Sequence, residues 1–220
     1  MSTPFEGKRV LLGVSGSIAA YKAADLASKL TQAGAVVDVL MTASAGQFVT
    51  PMTFRTLTHR AVLTDLFDIG SPEAVEHVAL ATAADVLVVA PATAHMIAKL
   101  ALGLADDPIS VITLATTAPL VVAPAMDANM WENLAVQTNV ATLTERGVMV
   151  VGPGSGRLAS GLQGWGRLAE TAEIMGMMAQ VLGRDGDLRG RSIVVSAGGT
   201  REPIDPVRVI ANRSSGKMGY

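Results

Sequence analysis

The stretch 9-RVLLGVSGSIAAYKAADLASKLTQAGAVVDVLM-41 decides the fold. Its first run, 9-RVLLGV-14, is short, rich in Val and Leu, and apolar on both faces, as a strand inside a parallel sheet must be. Ala19, Ala23, Leu26 and Leu30 then recur at spacings of four, three and four, which is one face of a helix. Gly34 supplies the helix stop, and a second two-faced run, 36-VVDVLM-41, follows at once. The runs 85-DVLVVA-90, 119-PLVVA-123 and 148-VMVV-151 continue the pattern, and another helix carrying Val136, Val140 and Leu143 stops at Gly147. This alternation predicts an α/β protein with a doubly wound parallel sheet in a three-layer, Rossmann-like sandwich.

Beyond Val151 the pattern breaks. The segment 152-GPGSGRLASGLQGWGRL-168 holds six glycines and no periodicity, too long for an ordinary connection, and reads as a functional loop or lid. Gly-Arg-Leu occurs in it twice, from Gly156 and from Gly166. A helix is predicted over 170–182, and 183-GRDGDLRGR-191 reads as a linker. A strand, 192-SIVVSA-197, then opens a second unit. The expected organisation is a first domain over 1–182, a linker over 183–190 and the start of another domain over 191–220.

Composition removes several classes of function. Half of the 220 residues are apolar and 16% are charged, which suits one sizeable core. No apolar run approaches the roughly 18 residues of a spanning helix. The longest, from Asp85 to Ala105, is interrupted by Pro91, His95 and Lys99, so no membrane role is expected. The patch 10-VLLGV-14 behind Lys8 and Arg9 is too short for an export signal, which leaves the cytoplasm as the expected location. A net charge of −2 without a basic stripe argues against nucleic acid. There is no cysteine, and His59, His77 and His95 match no metal-ligand spacing, so no metal site is expected.

In an open α/β sheet, ligands bind beyond the carboxyl ends of the strands. Small polar motifs fall there in turn: Gly16 and Ser17 after the first strand, Thr42 and Ser44 after the second, and Pro91 and Thr93 after the third. The stretch 123-APAMDANMW-131 follows the fourth. Gly16 and Ser17 at a helix N-terminus suit either a phosphate or a plain cap. The fingerprint GxGxxG is absent, which disfavours a nicotinamide. Thr42, Ser44 and Thr93 are ordinary capping residues taken alone. Met126 and Met130 are usual core fillers, and Trp131 a packing anchor. Asn129, between apolar neighbours, is expected to be partly buried and to need partners. A lone histidine such as His77 is more often structural than a base, and Arg167 is by default solvated, its other use being to grip an anion.

Taken together, 13-GVSGSIAAYK-22, 91-PATA-94, the PxMxxxMW loop from Pro124 to Trp131 and the glycine-rich segment ending 166-GRL-168 resemble the homo-oligomeric flavin-containing cysteine decarboxylases. The motif order resembles that of the phosphopantothenoylcysteine decarboxylases. The tail 196-SAGGTREPIDPVRVIANRSSGKMG-219 is similar to the start of phosphopantothenate–cysteine ligase, an activity commonly fused to the decarboxylase in bacterial coenzyme A biosynthesis proteins. The resemblance covers essentially the whole chain. It implies a flavodoxin-like fold that binds FMN, with the phosphate on Gly16 and Ser17 aided by Thr42 and Ser44. The flavin ring would lie near Thr93 and the Ala125 loop. It also implies His77 as the active-site histidine and Asn129 as the asparagine that grips the substrate, with Met130, Ser160 and Arg167 beside it. The implied substrate is the small molecule 4′-phosphopantothenoylcysteine, and the pocket would be shared within a trimer or an assembly of trimers.

The chemistry so implied is oxidation of the thiol to a thioaldehyde, loss of CO2 to leave an enethiolate, then protonation and hydride return to give 4′-phosphopantetheine. No ligase activity is expected of the tail alone; Mg and CTP would serve only a full ligase domain. This chain departs from the family pattern twice. PxMN reads Pro124-Ala125-Met126-Asp127, and Ser160 stands in the region where many relatives carry an acidic cysteine. Two rivals remain: an oxidative peptide-cysteine decarboxylase of the same family, and a flavin-binding subunit without activity.

Overall fold

In the computed structural model, residues 3–65, 77–184, 186, 189–196 and 198–213 are described, with the His77 side chain outside that set. The chain divides into two compact units, Met1–Arg184 and Asp185–Tyr220.

The first unit is built on six parallel strands: β1 (Arg9–Val14), β2 (Val36–Met41), β3 (Val62–Leu63), β4 (Val86–Ala92), β5 (Leu120–Pro124) and β6 (Met149–Val150). Their order is β3-β2-β1-β4-β5-β6. The chain winds outward from β1 to β3, then returns to lay β4 on the other side of β1. That is a flavodoxin-like, doubly wound α/β sheet with its switch point between β1 and β4. Helices α1 (Ala20–Gln32), α2 (Pro51–Thr58) and α8 (Thr171–Leu182) cover one face. Helices α3 (His77–Ala83), α4 (Ala94–Leu102), α5 (Pro108–Ala115) and α7 (Leu134–Glu145) cover the other. Each strand feeds both layers. Val10, Leu12 and Val14 pack toward α1 and α8, while Leu11, Leu87 and Val89 pack toward α4 and α5. The two-faced apolar runs read from the sequence are therefore this sheet.

Three features were not legible in the sequence. The two-residue strand β3 is too short to show a pattern. Residues 152–168 are not a featureless loop but a hairpin, β7 (Gly154–Arg157) against β8 (Gln163–Arg167), paired antiparallel. Residues 191–196 form no strand: Ile193, Val194 and Val195 are 58%, 95% and 77% exposed. An apolar run becomes a strand only where a neighbour takes its N–H and C=O groups, and the pairing among the described residues of the second unit is instead β9 (Arg201–Pro203) with β10 (Val209–Ala211). Asp205 turns that hairpin by accepting the N–H groups of Val207 and Arg208 at 2.9 and 2.7 Å.

Charge tethers the sheet at its amino edge. Asp38, the polar residue inside the β2 run, is 6% exposed and lies between the guanidinium groups of Arg60 and Arg9, the latter 3.3 Å from its Oδ2. Asp85, just before β4, accepts the Arg9 N–H at 2.8 Å and pairs with Lys8 at 3.0 Å. Partial burial opposes its ionised form, but the Arg9 N–H and the Lys8 ammonium outweigh that and hold its carboxyl below the ordinary 3.8. Hydrogen bonds from Lys29 and Thr171 likewise lower Asp25, which ties α1 to α8. Both folded pKa values lie below their unfolded ones, so the stability they confer is complete above the unfolded value and is lost as pH falls through the folded one. The urea midpoint is expected to be unaffected by these groups from pH 8 to about pH 5 and to fall below about pH 4. A midpoint unchanged down to pH 2.5 would remove these carboxylates from the stability account.

Candidate active site

The turns that follow β1, β4 and β5 meet at the switch point and enclose a cavity of ≈ 740 Å³, roofed by the β7–β8 hairpin. Its volume is that of a pocket for a cofactor or drug-sized molecule.

The first wall is the turn after β1. Ser15, 2% exposed, donates its hydroxyl to the Pro91 carbonyl at 2.7 Å and accepts the Thr93 N–H at 3.0 Å, locking the ends of β1 and β4 together. Gly16 and Ser17 then face the cavity. A Cβ on Gly16 would press into Ser44, at 2.5 Å from its Cβ and 2.9 Å from its backbone carbonyl carbon. Only a glycine lets the two turns touch there. Ser17 accepts the Ala19 N–H at 3.2 Å within the turn ahead of α1, whose N-cap is Ala19 with no side-chain bond, so Ser17 is not the helix cap, and its hydroxyl proton remains to donate. Thr42 and Ser44 do not line the cavity. They bond each other at 3.0 Å, Thr42 accepts the Ala45 N–H, and together they brace the Gly16 turn from behind.

Thr93 lines the cavity as the N-cap of α4, accepting the Met96 N–H at 3.2 Å. Ala125 and Met130 line it from the loop after β5. A short helix, α6 (Ala128–Trp131), follows, with Asp127 as its N-cap. Successive helical residues rotate by about 100°, so positions three apart share a face. Asp127 and Met130 therefore both reach the cavity, whereas Asn129 does not line it and is exposed. The expectation that Asn129 is partly buried is corrected here. Its backbone N–H donates to Asp127 Oδ1 at 3.2 Å, and the polar side chain facing inward is Asp127.

The hairpin is fitted to this loop by its glycines. Gly166, at φ +144°, accepts the Met126 N–H at 3.0 Å through its carbonyl. A Cβ on Gly164 would sit 2.9 Å from that of Ala128. The repeated Gly-Arg-Leu now has a reason. All four Arg and Leu residues line the cavity, Leu158 and Leu168 as buried apolar wall and Arg157 and Arg167 as its exposed cations. Ser160, from the turn between the strands, lines it too and donates its hydroxyl to Asp127 Oδ2 at 2.5 Å. Glu170 lies 3.6 Å from Lys22 and 3.5 Å from Arg167, two cations of the cavity wall. With Lys22, Arg157 and Arg167 against Asp127, the wall favours a ligand with anionic groups.

Seven of the expected site residues thus surround one cavity: Gly16, Ser17, Thr93, Ala125, Met130, Ser160 and Arg167. The His77 side chain lies outside the described residues; its backbone begins α3. Sequence reasoning did not single out Lys22 or assign Arg157 to the site, although the repeated tripeptide signalled the latter. Among the described residues, no three His, Cys, Asp or Glu side chains group as metal ligands, and no helix is long and apolar enough to cross a membrane.

The chain matches the family described as "Flavoprotein" over residues 1–183 and the "DNA/pantothenate metabolism flavoprotein C-terminal domain" over residues 188–220. It is 45% identical over 214 residues to the "Coenzyme A biosynthesis bifunctional protein CoaBC" of Vibrio vulnificus (strain YJ016), an alignment covering 97% of this chain and 53% of that protein. The chain therefore spans about half the length of the curated relatives it matches. Among solved structures, it is similar to a cysteine-to-serine mutant of a PPC decarboxylase complexed with pantothenoylaminoethenethiol. The TM-score is 0.70, at 36% identity, covering 79% of this chain and 97% of that one. It is also similar to the FMN-dependent cysteine decarboxylase SpaF, with a TM-score of 0.68 at 36% identity, covering 80% of this chain and 95% of that one.

Proposed function

This chain belongs to the Flavoprotein family, and from that premise we propose that it decarboxylates 4′-phosphopantothenoylcysteine to 4′-phosphopantetheine with FMN, in coenzyme A biosynthesis. One observation carries the reading: Gly16 and Ser17, Thr93, the Ala125–Met130 loop and the Gly-Arg-Leu hairpin all border a single cavity. The second unit matches the flavoprotein C-terminal domain, which supports reading residues 191–220 as the start of a ligase domain.

The residues present fit FMN. Gly16 is a cradle that a Cβ would fill, and the α1 N-terminus behind it offers N–H groups and a dipole to a phosphate. Ser17 would donate its hydroxyl, Thr42 and Ser44 would hold the turn in place, and Thr93 and Ala125 would border the ring. Bound FMN would supply the oxidation of the thiol and the later return of reducing equivalents. The chain's own groups place the substrate. Arg157 and Arg167 would take its phosphate and carboxylate, Met130 would exclude water, and Asp127 rather than the exposed Asn129 would face the reacting end. Adding the substrate to FMN-loaded protein should release CO2 and give the saturated thiol. A product lighter by two hydrogens would favour the oxidative peptide-type chemistry instead, and absence of CO2 would defeat the proposal.

Gly16→Ala should weaken FMN binding about tenfold, because overpacking against Ser44 costs roughly 1–3 kcal/mol and moves the phosphate turn. Fluorescence titration with FMN measures this, and unchanged affinity would take the phosphate away from Gly16.

The active form would be a homo-oligomer, a trimer or an assembly of trimers. Ile18 and Tyr21 line the cavity yet are 60% and 62% exposed, with Phe48 and Met52 at 49% and 64% nearby in the same layer. A neighbouring copy would cover this apolar surface and close the pocket. Light scattering that finds a fully active monomer would contradict this.

A further inference from the structure

We infer that Lys22 and Arg167 form a clamp for the phosphate of the substrate, and that Glu170 is a built-in counter-ion which only a dianion displaces. The inference rests on the decarboxylase reading above and names the part of the substrate that this corner of the cavity recognises.

One carboxylate oxygen carries the observation. Glu170 Oε1 lies 3.6 Å from Lys22 Nζ and 3.5 Å from Arg167 Nη2. Lys22 comes from the first turn of α1 and Arg167 from the end of β8. Both line the cavity, whereas Glu170 does not. A single anionic oxygen therefore serves two cations that the fold brings from separate elements, as one oxygen of a bound anion would.

The cations are seated independently of it. The Arg167 side chain lies on bare backbone at Gly156, where a Cβ would be 3.0 Å from its Cδ and 3.0 Å from its Nη1. Gly156 also sits at φ +147°, so the seat requires glycine on both counts. Lys22 is carried by its helix, with a side chain 23% exposed. Glu170 is the loose member, with a side chain 67% exposed. Its backbone is held, because its N–H donates to Glu173 at 3.0 Å and the Thr171 hydroxyl donates to Asp25 on α1 at 2.6 Å. Only the carboxylate has to swing into water for the clamp to open to a ligand.

Charge decides which ligand group can make it swing. Another carboxylate would exchange one monoanion for its like, with nothing to offset the ordering of the ligand. A phosphate monoester carries about −1.5 to −2 charges at pH 7 and three acceptor oxygens. It can bond Lys22 and Arg167 through separate oxygens, and charge-assisted bonds of this kind are the strong ones. Glu170 thus competes with every anion at the clamp and loses only to the more highly charged. The carboxylate of the substrate is left to Arg157, the third cation of the wall.

The test uses the full chain loaded with FMN. KM and kcat are read from CO2 release with 4′-phosphopantothenoylcysteine and with its dephosphorylated counterpart. Inorganic phosphate probes the clamp alone, titrated by phosphorus NMR. E170Q should bind phosphate about threefold to tenfold more tightly and lower the KM of the phosphorylated substrate by a similar factor, since each exposed ion pair removed is worth up to a few-fold. K22M should weaken phosphate binding at least tenfold and erase the preference for the phosphorylated substrate, through KM and not kcat. If Glu170 served only the start of α8, E170Q would lower the melting temperature and leave phosphate binding unchanged or weaker, and that result would overturn the inference. Equal KM values for the two substrates in wild type would overturn it as well. So would an E170Q effect on FMN affinity in place of the substrate KM, which would give the cations to the flavin phosphate. The phosphate titration needs no turnover, so the two failures separate. No CO2 release with the expected titrations sinks the decarboxylase reading and keeps the dianion clamp, while CO2 release with unaltered titrations does the reverse.

Discussion

Gly166→Ala should lower decarboxylation by about a hundredfold or more while leaving the six-stranded sheet intact. Gly166 lies at φ +144°, where an L side chain is strained. An added Cβ would overlap the Met126 carbonyl oxygen and lie 3.2 Å from the Met126 carbonyl carbon and 3.4 Å from that of Asp127. These atoms are backbone and cannot swing aside as a side-chain end would. The hairpin must lift instead, breaking the bond from the Met126 N–H to the Gly166 carbonyl. Arg167 is the next residue and Ser160 sits at the same hairpin's turn, so both leave their places over the cavity. A displacement of about 1 Å at a reacting group is enough for a hundredfold loss. The hairpin is a separate two-stranded sheet, so the core is untouched and melting should change by only a few degrees. Turnover within a few-fold of wild type would mean that the hairpin does not position the reacting groups.

His77→Asn should reduce turnover by about 10²–10⁴-fold with FMN still bound, the range for loss of a general base. The proposed role is to take the thiol proton as the substrate is oxidised. Neutral imidazole can do this near pH 7, and an amide cannot at any pH. The backbone is compatible with that placement. Asp85, two residues beyond α3, donates its N–H to the Arg9 carbonyl at the amino edge of the sheet. The helix therefore runs back against the strand direction, and His77 is its end nearer the edge where the ligand turns gather. His77→Gln separates a base from a hydrogen-bond donor, since neither amide can accept the proton. Wild-type CO2 release in His77→Asn would return His77 to a structural role.

The βαβ core was fully legible in the sequence because its signals are local. Val10, Leu11 and Leu12 are apolar on consecutive positions whatever lies around them, and Gly34 stops α1 through its own backbone at φ +88°. The strand-end turns were legible for the same reason, since strand order alone carries Gly16, Thr93 and Ala125 to one edge. Which side chains then face one another is a matter of distant chain. Asn129 looked enclosed by Met130 and Trp131, yet one helical turn of α6 presents Asp127 inward and leaves Asn129 in solvent. The glycine-rich segment showed no period because its ladder is made by Gly154 with Arg167 and Gly156 with Gly164, pairs that sequence order does not reveal. The run 192-SIVVSA-197 has the composition of a strand, but among the described residues no neighbouring backbone takes the N–H and C=O groups of residues 191–196. Composition and periodicity set which segments can bury a face. The meeting of Ser160 with Asp127 needed the whole fold, because a hydrogen bond across 33 positions is decided by where two loops are held and not by either loop's residues.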